Sequence, residues 1–371
     1  MNKEKELETL NNKLTETVKT TNKLIETIGE SSNGLNSALK GIQDCFDCIR
    51  GIPEEQQKQY LEIKKQRLGW EDSVNKILKS FDSSSMKSFG FGAAGVGAGV
   101  TIAAAGPNVA MGIATTFGVA STGTAISSLS GAAATNAALA WLGGGALAAG
   151  GAGMAGGKLL LALAGPVGIA IAIASFATSG LLFWKTLSDK KRVETILSLV
   201  TDKQIKQYKL ANTEMRTRIS KMLDEIKLLL NASDRLKEFG LDYSQMTDAQ
   251  KYELGSYVNL MRASTQLLIK PIEGLKPRFD EKDYYRVFLK EPMPVDGKYP
   301  FSENKYYEKP ILYFANLFDG IDMTEKDFHL MWKLYKKNSN QLAELGLNKY
   351  NFDELILIAA YYMIVNHDLH K

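Results

Sequence analysis

The apolar positions of the first fifty residues follow a seven-residue rhythm. Leu7, Leu14, Ile28, Leu35, Ile42 and Ile49 occupy one series, and Val18, Ile25, Leu39 and Phe46 fall four positions after members of it. Such spacing winds a single apolar stripe along a helix, so 2–50 is expected to be helical. Asn11, Thr21 and Ser32 interrupt the stripe. The run GESSNG (29–34) is rich in turn formers, and a bend or break is expected there. Gly51-Ile52-Pro53 closes the segment, and a second charged helix follows over about 54–80. The interrupted seam favours an antiparallel helical hairpin; an oligomerising coiled coil is the alternative.

A second periodic stretch covers 189–235. Met215, Ile219, Met222, Ile226 and Leu229 are spaced four, three, four and three apart, one stripe of a long helix. Glu238-Phe239-Gly240 reads as its stop, with Gly240 suited to a left-handed cap. Beyond it the composition changes. Six of the nine prolines lie between Pro271 and Pro310, and eleven aromatic residues lie between Phe279 and Phe318. Short helices with irregular connections are expected there, with helices resuming at about 324–346 and a buried terminal helix at 353–366. Strand signatures are weak throughout, and the predicted class is all-α.

Between these helical regions the periodic pattern gives way to an absence of charge. Residues 1–87 carry 14 basic and 14 acidic side chains and 185–371 carry 30 and 27, yet the 70 residues from Ser88 to Gly157 contain no Asp, Glu, Lys, Arg or His. Lys158 stands alone before 26 more uncharged residues, Leu159–Trp184. That second run exceeds the roughly 20 residues needed to cross a bilayer as helix. Trp184, Lys185 and the cluster Lys190-Lys191-Arg192 end it as an interfacial ring and cytoplasmic cations would. Pro166 is tolerated in such a helix. The expected organisation is a helical or coiled-coil region (1–87), a Gly/Ala-rich membrane region of two to four spans (88–184) and a C-terminal helical domain (185–371). The last divides into the long helix 189–235 and an aromatic- and proline-rich module, 241–371.

The glycines of the apolar run are ordered. Gly145, Ala149, Gly153 and Gly157 repeat every four residues, as do Gly95, Gly99 and Ala103. Small residues at this spacing make a groove that lets helices approach closely in lipid, so these positions are candidates for pore or helix packing. Breaks are expected at Gly106-Pro107 and around Ser127–Gly131. Weak apolarity also implies a conditional state, with a Gly/Ala hairpin sheltered in a soluble helical assembly and inserted on release. Lys158 reads first as an interface residue, and second as a lumen or vestibule residue, since ionisable groups in membranes face polar cavities.

The same glycines imitate a nucleotide loop. Gly151, Gly153 and Gly156 spell G-x-G-x-x-G and are followed by Gly157-Lys158. A dinucleotide fingerprint needs a preceding strand and an acidic residue about 20 positions on. Here no strand precedes, and no acid occurs until Asp189. Leu159 stands where a phosphate-binding loop needs Ser or Thr.

No catalytic constellation is legible. The three histidines include His329, within a helical apolar stripe and read as structural. Glu54-Glu55 and Glu71-Asp72 are expected on solvated faces. Cys45 and Cys48 with His367 and His370 form a formally available zinc set, but their separation has no motif value, and reduced cysteines lining a helix are expected. The chain is thus read as a non-enzyme without metal or cofactor. Its net charge of +4 is too small to argue for bulk nucleic-acid binding. One stretch nonetheless interleaves cations with rings: Lys276, Arg278, Lys282, Arg286 and Lys290 alternate with Phe279, Tyr284, Tyr285 and Phe288, near Lys298, Lys305, Tyr306, Tyr307 and Lys309. Lys276, Arg278, Lys282, Tyr284, Tyr285 and Arg286 are candidates to hold a nucleotide or single-stranded nucleic acid, cations on phosphates and rings on bases. The simpler reading is a mixed surface over buried rings, since Asp280, Glu281 and Asp283 share the stretch.

GVASTGTAISSLSGAAATNAALAWLGGGALAAGGAGMAGG (118–157) resembles the Gly/Ala-rich hydrophobic hairpins of bacterial membrane effectors. With a charged helical N-terminus and a C-terminal domain around it, the whole resembles the channel effector of a Hailong-type antiphage defence system. The resemblance implies a homo-oligomeric ion channel that depolarises the membrane, held shut by a single-stranded DNA oligomer. The charged start MNKEKELETLNN lacks a signal-peptide pattern. It and the cations after Trp184 place both termini in the cytosol, at the bacterial inner membrane, which favours an even number of spans, with a soluble state before activation. A non-conducting membrane scaffold and a secreted pore-forming toxin or translocator are the alternatives.

Overall fold

The computed structural model describes residues 3–84, 107–108, 110–116, 187–290, 305–337 and 347–366. Among the described residues the fold is all-helical, without a strand. The helices are α1 (Lys3–Asp47), α2 (Glu54–Ser84), α3 (Leu187–Leu236), α4 (Asp248–Ile269), α5 (Glu281–Lys290), α6 (Lys305–Phe318), α7 (Glu325–Lys337) and α8 (Glu354–Asn366), with short 3-10 turns at Tyr243–Gln245 and Glu273–Leu275. No helix among the described residues is long and apolar enough to cross a membrane. Outside them lie the expected spans, apart from 107–108 and 110–116, and with them Gly95, Gly99, Gly145, Ala149, Gly153, Gly157 and Lys158.

The chain divides into two units. The first takes Met1–Thr20, Leu139–Lys209 and Leu275–Lys371; the second takes Thr21–Ala138 and Leu210–Gly274. Each draws on sequence from both sides of the apolar run.

The first unit is built on rings. Phe279, Tyr284, Phe288, Phe314, Phe318, Phe328, Tyr335 and Phe352 are buried in one cluster with Leu7, with Val193, Ile196, Leu197 and Val200 of α3, and with Ile356, Leu357 and Met363 of α8. The predicted terminal helix is thus present and buried. The basic flank of the apolar run is used internally: Arg192 donates from Nε and Nη2 to the Asp327 carboxylate at 2.7 and 2.8 Å, and again to the Asp322 carbonyl at 3.0 Å. Asp327 also accepts from the Thr324 backbone N–H at 2.7 Å, closing the first turn of α7.

In the second unit α1 pairs with α2 and α3 with α4, and α2 also packs against α4. α2 runs antiparallel to α1: Tyr60 reaches Asp47 and the Gln43 carbonyl, while Arg67 and Glu71 reach Asn36. This is the predicted hairpin. α3 and α4 are also antiparallel, with Ser264 donating to Glu225 at 2.6 Å and Arg218 to the Pro271 carbonyl at 3.0 Å. Met215, Met222 and Leu229 of the predicted α3 stripe are fully buried. Thr247 starts α4 with a capping box shared with Gln250. Gly51 and Gly240, at the ends expected for α1 and α3, have φ of +73° and +77°, the left-handed region in which glycine carries no Cβ penalty. There the Arg50 N–H donates to the Leu241 carbonyl at 2.8 Å, and the Tyr243 N–H to the Arg50 carbonyl at 2.9 Å.

One expectation is corrected. α1 runs unbroken through GESSNG. Its glycines create close approach: a Cβ on Gly34 would stand 3.0 Å from Cδ1 of Ile226, and Gly29 belongs to the contact described next.

Candidate functional site

Residues 107–108 and 110–116 of the apolar run lie in the second unit and are helical. Pro107 suits a first helical turn, where no N–H bond is required. Ala110, Gly112, Ile113, Ala114, Thr115 and Thr116 are all buried. The segment is therefore seated against its flanking helices, and the seat is formed by α1, α2 and the chain after α4.

On α1 the seat is a stripe of Ile25, Gly29 and Ser32. Gly29 and Gly112 meet face to face. A Cβ on Gly29 would collide with the Asn108 carbonyl oxygen and stand 3.0 Å from the Gly112 nitrogen; a Cβ on Gly112 would collide with the Ile25 carbonyl oxygen and stand 3.1 Å from Cγ2 of Ile25. Two backbones touch here without intervening side chains, which only glycine permits at both positions.

One turn further along, polar groups close the contact. Oγ1 of Thr115 lies 2.9 Å from Oγ of Ser32 and accepts from Nε1 of Trp70 at 3.2 Å. Ser32, Trp70 and Thr115 are each fully buried. Their groups have exchanged water for one another, an exchange worth about 0.5–1.5 kcal/mol per bond but costly to leave incomplete. At the other side of the seat the Ile272 N–H donates to the Thr116 carbonyl at 2.7 Å.

α2 holds Trp70 through its neighbours. Arg67, almost fully buried, donates from Nε to Gln43 at 2.7 Å and from Nη1 to Asn36 at 3.0 Å and to Glu71 at 2.7 Å. Glu71, expected on a solvated face, instead completes this network by accepting from Asn36 at 2.8 Å. A buried guanidinium needs such pairing to offset desolvation. Farther along, burial and then the adjacent Asp47 raise the Tyr60 hydroxyl well above its ordinary pKa, so it remains a donor to that carboxylate. A cleft of about 370 Å³ between α2 and α4 is bridged by its own side chains, Arg262 to Gln59 at 3.3 Å and Gln266 to Gln66 at 3.2 Å.

The cation-and-ring stretch is split by the first unit. Phe279, Tyr284 and Phe288 belong to its core, and burial pushes the Tyr284 hydroxyl up in pKa. The Tyr285 hydroxyl donates to Glu308 at 3.1 Å. Arg278 is paired with Asp319 at 2.7 Å and Arg286 with Asp283 at 2.6 Å. Lys276 is exposed, and Lys282 lies on α5. Three of the four rings are thus in the core, and the two arginines are paired with carboxylates.

Among the remaining candidates, Cys45 is a free thiol on α1 with Sγ 3.6 Å from Oγ of Ser233, and Cys48 is exposed. No group of three or more metal-ligating side chains occurs among the described residues, and His367 and His370 lie outside them. His329 joins α7 to α8 through Glu354.

Sequence reasoning missed Gly29, Ser32, Trp70, Gly112 and Thr115. The available signal was a pair of small residues, Gly29 and Ser32, on a charged helix, the same residues whose turn propensity predicts a break. No family model, no curated protein and no solved structure matches the chain.

Proposed function

We propose that this chain is a membrane-inserting helical effector. Its run 88–184 enters the bilayer and assembles as a homo-oligomeric pore, and its flanking helices hold that run before activation. The carrying observation is the charge distribution. One lysine, Lys158, is the single ionisable residue among Asp, Glu, Lys, Arg and His across Ser88–Trp184, in a chain that is 23% charged as a whole. A water-exposed surface of that length would carry many more, whereas intramembrane charge is expensive and sparse. The seating of 107–116 among buried hydroxyls supports the sheltered state.

On this reading the protein depolarises the bacterial inner membrane in antiphage defence, as the resemblance of 118–157 implies. A single-stranded nucleic acid or nucleotide is its regulatory ligand. Because Tyr284 is buried, such a ligand would meet the stretch 276–290 through phosphate contacts to Lys276 and Arg278 more than through stacking.

Expression of the chain alone in bacteria, with membrane potential recorded, tests the proposal. Collapse of the potential, together with dye leakage from liposomes carrying purified protein, is expected. Intact potential and tight liposomes would leave the membrane scaffold. Insertion restricted to foreign membranes after export would point to the secreted toxin.

A further inference from the structure

We infer that the second unit contains a built-in restraint on the apolar run, in which α1 and α2 grip residues 107–108 and 110–116 through the Gly29–Gly112 crossing and the Ser32–Thr115–Trp70 hydroxyl clasp. Opening that grip is the step that frees the run for the membrane. The inference rests on the membrane reading above and adds what holds the run back.

Three features of the seat carry it. First, the contact is made by backbones and hydroxyls. Gly29 and Gly112 contribute no side chain, and the polar tie is a short chain of bonds among Ser32, Thr115 and Trp70. Such a contact is specific, since a Cβ at either glycine would collide with the facing backbone. Second, both hydroxyls of the clasp have an alternative outside it. The hydroxyls of Ser32 and Thr115 can return to a helical carbonyl one turn back, as Ser31 does to Thr27 and Thr17 to Lys13 in the same helix. Third, the seat is braced from behind by the Arg67–Asn36–Gln43–Glu71 network, so α1 and α2 stay paired when the segment leaves. The restraint can open while the hairpin remains.

The grip is tested in the full-length protein with Cys45→Ser and Cys48→Ser as background. Ser32→Cys with Thr115→Cys places two thiols where the hydroxyl oxygens lie 2.9 Å apart, so oxidation cross-links the segment to α1. Cross-linked protein should neither bind nor permeabilise vesicles of phosphatidylethanolamine and phosphatidylglycerol, and reductant should restore both. In the opposite direction, Gly29→Val and the milder Thr115→Val should speed amide hydrogen exchange across 107–116 and raise dye release. For Thr115→Val, which strips the bonds to Ser32 and Trp70, the increase should be about 5- to 150-fold. Exchange in α2 and α4 serves as the control that the unit is still folded; Thr115→Val keeps the test open where Gly29→Val fails that control. The inference is overturned if the two cysteines do not join, if cross-linked protein permeabilises as well as reduced protein, or if faster exchange at 107–116 brings no increase in release. If reduced protein and every variant leave vesicles tight, the membrane reading itself fails and takes the inference with it.

Discussion

The two units bury their cores by different means. In the first, Phe314 alone has ring neighbours at Phe318, Tyr335 and Phe352, with centroids 6.1, 5.1 and 5.8 Å away. A paired arginine, Arg192, ties α3 to α7. In the second, the contact to the apolar segment is two glycines and a hydroxyl clasp. Large rings are stabilised by area and dispersion, and removing one leaves a void the surroundings cannot fill. Glycine contacts contribute proximity without volume. The first packing suits a domain that stays closed, the second an association that is made and unmade.

The largest effect that would break this contrast lies in the first unit. Phe314→Ala should cost about 3–5 kcal/mol, the usual penalty for deleting a buried ring. Denaturant unfolding followed by hydrogen exchange should show α5–α8 losing protection. A loss below about 1 kcal/mol would mean that the ring cluster is soft enough to collapse around the gap, and the comparison would lose its rigid member.

Next comes the charged tie. Arg192 above all, with the Thr324 donors, holds the Asp327 carboxyl down to about 2. Its pKa is depressed relative to an unfolded carboxyl near 3.9. The pairing therefore stabilises the fold fully above about pH 4, and that contribution disappears as pH falls through about 2. Asp327→Asn should cost about 1.5–3 kcal/mol at pH 7, the range for hydrogen bonds to charged groups. The gap between wild type and variant, read from urea midpoints across pH, should narrow below pH 4. A gap that is flat down to pH 2 would refute the pairing.

A smaller change probes the second unit. Trp70→Phe keeps most of the ring but removes the indole donor to Thr115, at about 0.5–1.5 kcal/mol. Exchange at 107–116 should rise before any loss of protection in α2 or α4. Uniform loss across the unit would show that Trp70 serves general packing alone.

Much of this architecture is legible in the sequence, and the boundary is instructive. The stripes of α1 and α3, the α1–α2 hairpin, the stops at Gly51 and Gly240 and the buried helix 354–366 all follow from apolar spacing and glycine placement, which are local properties. What spacing cannot name is a partner. Gly29 looks like a breaker because local propensity counts only its cost of about 1 kcal/mol in a helix. The compensating contact is Gly112, more than eighty residues away in a run whose own glycines are too numerous to single one out. The cation-and-ring stretch is ambiguous for a different reason: one pattern serves a ligand face and a packed module alike, and the burial of Tyr284 and the pairing of Arg278 are visible only in the fold.

The finest test sets two neighbours against each other. Thr115 and Thr116 are adjacent, identical and fully buried. The Thr115 hydroxyl is bonded to Ser32 and Trp70, whereas among the described residues the Thr116 hydroxyl has no hydrogen-bond partner. Valine matches the shape of threonine without the hydroxyl. A buried hydroxyl without a partner carries a desolvation cost and returns nothing, so Thr116→Val should be neutral or stabilise the seat by up to about 1 kcal/mol. Thr115→Val should weaken it, because removing the shared hydroxyl breaks the bond to Ser32 and leaves the Trp70 indole N–H unsatisfied. Exchange at 107–116 should therefore slow or hold steady in one variant and accelerate in the other. Equal responses would mean that residue volume alone holds the segment, and the clasp would be incidental to the packing around it.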